Sequence, residues 1–358
     1  MAFFGLWHSW HLMGRYVRAI CAPVIGVEWA NDALLEALLP YVRTLPLAAP
    51  ERLSLENFVR LLLIGWRTRR ILCPDFLELR SFSDHAAAFE AAVTEAVRGL
   101  RRELDQMEVP AVFDAVVAIS STGNLLPGIA DRLAEAWPDR IPAEALLVDV
   151  SNGGCTSGAR GLRLASRLGP EYKNVLLAVV EVPTSLTDPC SVDRANWQGL
   201  CTFGDGAAAV WLSDEPAPGA LEVDRVYSWH SGLPELIRWQ YGPSYYRFAV
   251  SDLGGFEQKV RNAVFAAIGH FDWERGRADA WALHPAGMML LLSLAKKLGL
   301  ERQELEPSIR HFRKFSNMSG ASLLHILRDL WISDAKELRW LAMGAGFHVE
   351  AGRGKVLE

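Results

Sequence analysis

Cysteine is scarce in this 358-residue chain: five stand at positions 21, 73, 155, 190 and 201. The number is odd and no C-x-x-C pair occurs, which argues against a disulfide framework and against a zinc site, and for a reducing compartment. No apolar run reaches the length needed to cross a membrane. The first segment, "MAFFGLWHSWHLMGRYVRAICAPVIG", is apolar, yet its first arginine comes late and a charged n-region is missing, so a signal peptide is not expected and the cytoplasm is. Basic charge is not in excess either: 37 Lys and Arg face 42 Asp and Glu, a net charge of -5, which gives no reason to expect a nucleic-acid or membrane partner. His8 and His11 in "HSWH" lack carboxylates or cysteines at ligand spacing, so no metal is expected there.

What the chain does have is apolar residues, 50% against 22% charged, enough to bury a large core in one double-layered unit or two domains. Strands and helices alternate. "FDAVVAIS", "ALLVDV", "NVLLAVVEV" and "AAAVWLS" read as strands, "IADRLAEAW" as a helix, and Pro216, Pro218 and Gly219 mark a boundary. The expected halves are residues 1–218 and 219–358. In the second, "VRNAVFAAIGHF", "MMLLLSLAKKLG" and "ASLLHILRDLW" read as helices, and "ADAWALH", "ELRWLAMGA" and "GFHVEAG" as strands. The two halves carry a weak repeat: "DAVVAISSTGNLLPGIADRLAEAW" and "DAWALHPAGMMLLLSLAKKLG" share the order Asp-Ala, apolar strand, Gly/Pro turn, helix. A pseudo-twofold relation would bring their strand-to-helix junctions together, where ligands bind in α/β sheets.

One junction holds a cysteine. "NGG" turns the chain after "ALLVDV", and Leu162, Leu164, Ala165 and Leu168 then recur at helical spacing. Cys155 is placed at a helix N-terminus, where unpaired N–H groups and the macrodipole favour a thiolate and lower the thiol pKa. A thiolate there could accept an acyl group; a small buried cysteine in a tight turn is the structural alternative. His284, after an apolar strand, and Asn317, before a helix, stand out with it.

Read together, the strings around these residues resemble those of the thiolase-fold condensing enzymes, the type III polyketide synthases of the chalcone synthase kind and the related ketoacyl-acyl-carrier-protein synthases III. "GGCTSGARGLRLA" resembles the nucleophile motif, "FGDGAAAVWL" the glycine turn, "HPAG" (284–287) the HPGG, "SNMSGASLLHIL" the GNMSSA segment and "GAGFHVE" (344–350) the terminal glycine-rich loop. The resemblance runs from about residue 113 to the end, and the spacing of His284 and Asn317 fits the polyketide enzymes slightly better.

The resemblance implies an α/β thiolase fold, two pseudo-twofold-related halves packed in αβαβα layers. It implies an acyltransferase in which Cys155 takes a starter acyl group, and in which His284 and Asn317 support loss of CO2 from a malonyl thioester. No bound cofactor is implied: coenzyme A or phosphopantetheine thioesters are substrates, namely acyl-CoA and malonyl-CoA, with an acyl carrier protein as the other donor. The backbone N–H of Cys155 and one from the Gly344 to Phe347 loop, which includes Gly346, would hold the oxyanion. Phe203 matches a gatekeeping phenylalanine; the second gatekeeper falls in "YYRFAV", with Tyr246, Arg247 and Phe248 all open. Leu126 takes the place of a methionine that reaches into the partner's cavity, so a homodimer is implied. The basic trio that holds CoA phosphates becomes Asn57, Arg60 and Ile64 in "NFVRLLLIGWRTRR", which leaves Arg60 with Arg67, Arg69 and Arg70 as phosphate candidates, or as a solvated helix end. Trp229 and Trp239 are candidate cavity residues among thirteen tryptophans. Two other readings remain: a single-round ketoacyl synthase III, and a non-catalytic partner subunit.

Overall fold

Strands that carry no polar alternation must be covered on both faces, and three of them set the architecture. In the computed structural model, which describes residues 15–242, 244–251, 254–271, 278–333 and 335–358, every residue of β4, β7 and β11 is buried; His8 and His11 lie outside the described residues. The first half runs β1 (Tyr16–Cys21), β2 (Val27–Ala30), α1 (Asn31–Thr44), α2 (Ala49–Leu62), β3 (Thr68–Ile71), α3 (Phe82–Leu104), β4 (Ala115–Ser120), α4 (Ile129–Ala136), β5 (Leu146–Ser151), α5 (Ser157–Ala165), β6 (Asn174–Glu181), α6 (Arg194–Thr202) and β7 (Gly206–Ser213). The second runs β8 (Leu221–His230), β9 (Ile237–Tyr241), β10 (Tyr246–Val250), α7 (Phe256–His270), β11 (Ala280–Leu283), α8 (Met288–Leu298), α9 (Arg302–Phe315), α10 (Ala321–Trp331), β12 (Glu337–Gly344) and β13 (His348–Val356).

Among the described residues nine strands join in the order β11-β12-β13-β8-β1-β7-β6-β4-β5, with β9-β10 and β2-β3 as separate two-stranded sheets. Alternate side chains of the large sheet feed different cores. Val116, Ala118, Leu176 and Ala178 pack against α3 and α4, whereas Ala115, Val117, Leu177 and Val179 pack against α5 and α10. On the other side, Ala282 and Trp340 also meet α10, while Trp281, Leu283 and Leu341 face α7, α8 and α9. Five layers result, with α5 and α10 in the middle. That position explains α10, which buries Ala321 through Leu327 without a break: a helix apolar all round belongs inside.

The two central helices touch through glycine. A Cβ on Gly158 would stand 2.4 Å from the Gly320 carbonyl oxygen, and one on Gly320 would stand 2.4 Å from the Ser157 Cβ. Side chains at either position would push the helices apart. The nine-stranded count, α6, β8 to β10 and α9 were not expected from the sequence; α9 is strongly polar and carries Pro307 inside. The helix after Cys155 is also shorter than expected. It ends at Ala165, before Leu168, and Leu164 faces outward, 37% exposed.

Gly158→Val should therefore cost at least about 1–3 kcal/mol by overpacking, and Leu164→Ala should stay within about 0.5 kcal/mol. Denaturant unfolding of the two variants measures both; equal losses would remove the significance given to this contact.

Candidate active site

The turn that carries Cys155 is built by backbone geometry. After β5, Asn152 takes φ 61° and Gly154 φ 56°, left-handed values that Asn and Gly tolerate best. A single 3-10 turn, Gly154–Thr156, then leads into α5 and carries Cys155. Ser121 Oγ accepts the Gly154 N–H at 2.6 Å, and Ser157 Oγ donates to the Gly154 carbonyl at 2.7 Å. The end of β12 closes on this turn. A Cβ on Gly344 would lie 2.8 Å from the Cys155 nitrogen, so no larger residue fits, and one on Gly154 would lie 3.0 Å from the Ala345 nitrogen.

Asn317 reaches the same place from the C-terminus of α9. Ser316 turns the chain at φ 61°; the Asn317 N–H donates to Thr202 O at 3.3 Å and its carbonyl accepts from Gly204 N at 3.0 Å. This zips "SNMSG" to "FGDG" and sets Phe203 beside Asn317. The side-chain oxygen of Asn317 accepts the Ser319 N–H at 2.9 Å, so its amide group is left to donate, and Nδ2 lies 3.9 Å from Cys155 Sγ.

Both residues line a largely apolar cavity, together with Phe203, Phe248, Trp239 and Gly344. Of the three positions left open in "YYRFAV", Phe248 lines the cavity and meets Phe203 with ring centres 5.6 Å apart; Arg247 falls on the opposite face of β10, and Tyr246, on the same face as Phe248, lies beyond the cavity wall. Trp239 packs its ring 6.3 Å from Phe248 and donates Nε1–H to Ser121 O at 2.9 Å. Trp229 instead stacks on His270 and does not line the cavity. Gly344 lines it too; Gly346 does not, and its φ of 71° serves the turn.

His284 ends β11, its N–H donating to Leu341 O at 2.9 Å. Ala286, two residues on, lines the cavity, whereas His284 itself is not on its wall. The imidazole itself is fully buried, and neither ring nitrogen has a hydrogen-bond partner among the described residues. Burial holds its pKa down to about 3, so it is neutral at pH 7.

The thiol departs from expectation. Burial first, and then the charge of Glu181, push Cys155 up to about 12, against the lowering effects of Ser319 and Asn317. The helix N-terminus is real, but desolvation outweighs it. Glu181 was missed by the sequence reading, although a lone acid closing the apolar run "NVLLAVVEV" is a signal. Its carboxyl is buried, accepts the Ser121 N–H at 3.1 Å, and is pushed by burial up to about 8.

The arginines need correction. Arg69 is 1% exposed and spends its donors on the carbonyls of Leu200, Cys201 and Phe203 and on Asn31 Oδ1. Arg67 donates to Leu62 O and Cys201 O and covers the Phe312 ring. Arg69 lines the cavity and its Nε has no partner among the described residues, but its terminal N–H groups, like those of Arg67, already meet protein acceptors, which weighs against the expected phosphate role for both. Arg60 and Arg70 are ion-paired at the surface to Glu56 and Glu28. Leu126 is 98% exposed and lies off the cavity of its own chain.

This nucleophile turn, set between the central helices of a five-layered α/β sandwich, is the arrangement of a thiolase-fold condensing enzyme. Residues 255–354 match the family model for the C-terminal domain of chalcone and stilbene synthases. A 1,3,6,8-tetrahydroxynaphthalene synthase of Streptomyces peucetius subsp. caesius is 30% identical over 315 residues, 80% of each chain. A putative chalcone synthase of Bacillus subtilis is 28% identical over 260 residues, 66% of this chain and 69% of that one. Among solved structures, the C-terminal type III polyketide synthase domain of Steely1, a type I/III hybrid from Dictyostelium, superposes with TM-score 0.84 at 17% identity, covering 96% of this chain and 100% of that one. The tetrahydroxynaphthalene synthase of Streptomyces coelicolor gives 0.81 at 20% identity, covering 96% and 99%. The chain belongs to the chalcone and stilbene synthase family of type III polyketide synthases. It is therefore an acyltransferase of the condensing type.

Alkylation of Cys155 by iodoacetamide, followed by peptide mass, should rise close to tenfold per pH unit between pH 7 and 9 without a plateau, because only the thiolate reacts. Glu181→Gln should raise the rate at pH 9, where the wild-type carboxylate opposes ionisation. A plateau beginning below pH 8 would show that the turn lowers the thiol pKa after all.

Proposed function

We propose that this synthase loads a starter acyl group on Cys155 and extends it with malonyl units at His284 and Asn317. The observation that carries this reading is the Asn317 amide, its oxygen already engaged, 3.9 Å from the sulfur. In loading, Cys155 attacks the thioester carbonyl, neutral His284 takes the thiol proton, and that proton leaves on the displaced thiol. Because both groups are neutral at rest, proton transfer accompanies attack; a preformed thiolate-imidazolium pair is not required.

A malonyl thioester then loses CO2. The resulting enolate oxygen needs donors that are fixed and uncharged by proton loss, which the His284 ring N–H and the Asn317 amide supply. The enolate carbon attacks the acyl group on Cys155, the N–H of Cys155 holds the oxyanion, and collapse expels the sulfur as the carbon–carbon bond is completed. An N–H of the Gly344 to Phe347 loop is the proposed second donor, a role supported by the close approach of Gly344 to the Cys155 nitrogen.

Acyl-CoA and malonyl-CoA are the proposed substrates, with a carrier-protein thioester as the other donor, and no bound cofactor takes part. Of the arginines, Arg60 and Arg70 remain the candidates for phosphate. Phe203 and Phe248 are the proposed gate. The exposed Leu126 supports a homodimer in which it enters the partner's cavity. The proposed halves, 1–218 and 219–358, are supported by matching strand order: β4-β6-β7-β1 in the first and β11-β12-β13-β8 in the second. That no described helix is long and apolar enough to cross a membrane accords with a cytoplasmic enzyme.

With a panel of acyl-CoAs plus malonyl-CoA, wild type should release CO2 and make triketide or longer products by mass, whereas Cys155→Ala should make none. Asn317→Asp should keep acyl loading but lose about 10²- to 10³-fold in decarboxylation, the cost of one oxyanion donor. Equal loss of both steps would overturn the role given to Asn317, and a single β-ketoacyl product would favour the single-round reading.

A further inference from the structure

Three histidines lie together behind the cavity, and the chemistry above uses only one. His284 closes β11, His311 sits on α9 and His325 on α10, and all three are buried. Ser308 Oγ accepts the Leu283 N–H at 3.0 Å, which pins α9 to the end of β11. His311 follows one helical turn later on the same face of α9. Its ring lies 5.7 Å from that of His325 and 5.3 Å from Phe315. His325 Nε2 meets the Ala207 carbonyl at 2.9 Å.

Four ring nitrogens in this cluster have no partner among the described residues: both of His284, Nε2 of His311 and Nδ1 of His325. Buried polar atoms of this kind are normally bonded, to protein or to water, since an orphan is costly. Apolar side chains would fill the same space without that cost. A metal does not account for the cluster, because no group of three His, Cys, Asp or Glu among the described residues could hold one.

The reaction supplies a reason. His284 can donate to an enolate oxygen only from a nitrogen that carries hydrogen, and which nitrogen that is depends on the bond made by the other one. No carbonyl or carboxylate among the described residues takes that second bond. We propose that His311 is the positioning residue for His284: through one shared water it holds the ring nitrogen turned away from substrate, and so fixes the tautomer that faces the enolate. The inference rests on the role given to His284 above. A water between the unpartnered ring nitrogens of His284 and His311 has the two polar partners that a buried water needs.

The titratable and charged groups that act on His311 are His325 and Arg328 from α10 and His284 from β11. Burial, with these groups, keeps His311 neutral, as burial also keeps His325, so the arrangement is one of neutral rings at working pH.

Malonyl-CoA alone, with CO2 release as readout, tests this without knowing the starter. His311→Phe should lower kcat for decarboxylation about tenfold or more, leave KM nearly unchanged, and leave Cys155 alkylation unchanged. His311→Gln, which keeps a donor and an acceptor, should recover most of the rate. In 15N-histidine spectra, the His284 signals, assigned by their loss in His284→Gln, should show one neutral tautomer in wild type and a mixture in His311→Phe. Should that variant not fold, His311→Asn reads the same spectrum. A folded His311 variant with wild-type decarboxylation and an unaltered His284 tautomer overturns the proposal. Wild-type decarboxylation by His284→Gln would instead overturn the role of His284 itself, a distinguishable result.

Discussion

The site depends on one close approach. Because Gly158 and Gly320 carry no side chains, the N-terminal turns of α5 and α10 can meet backbone to backbone, 2.4 Å being all that a Cβ on Gly158 would have before Gly320 O. Each helix is preceded by a residue of the site, Cys155 on one and Asn317 on the other. The distance between a sulfur and an amide far apart in sequence is thus set by two central helices that cannot slide, since interiors pack at crystal density. Further glycines, Gly344 and Gly154, do the same for the third segment, bringing the end of β12 onto the nucleophile turn. Precision comes from absent side chains, and chemistry from the few that remain.

Burial on this scale changes the chemistry as well as the geometry. A helix N-terminus at the surface would favour a thiolate, but here desolvation and the carboxyl of Glu181 weigh more, and Cys155 stands near 12. His284 is held near 3 by the same cause. The low dielectric that makes both groups neutral at rest also strengthens fixed donors toward a charge that appears only during reaction. On the proposed reaction, an enolate oxygen arriving at Asn317 would be stabilised more than any resting ion, which is the sense in which such a site would favour the transition state.

Much of this was legible where the signal is local. Cys155 and Asn317 could be singled out because each lies in a short junction whose turn residues and apolar flanks are continuous in sequence, and the family strings carried His284 and Phe203. The arginines could not be read that way. The carbonyls that consume Arg69 lie on residues 200, 201 and 203, about 130 positions away, and nothing in "RTRR" distinguishes a guanidinium facing phosphate from one facing backbone. The thiol pKa failed for a related reason: desolvation is a property of the packed interior. Phe248 could be told from Arg247 only once β10 had a partner in β9 to fix its faces, and from Tyr246 only by the extent of the cavity.

The neutral groups have a cost in proton linkage, and its two parts oppose each other. Glu181 near 8 and Asp205 near 6 hold protons in the folded state that the unfolded chain releases above its ordinary carboxylate range, so their contribution is full at low pH and is lost as pH rises through those values. His284 near 3, His325 near 4 and His311, also held low, refuse protons that the unfolded chain takes up below about 6.5, so they favour folding less as pH falls. Between roughly pH 4.5 and 6.5 the acids gain while the histidines lose, and the slopes largely cancel. A fold that buries ionisable side chains of both kinds can in this way offset part of the pH dependence that either kind alone would give its stability.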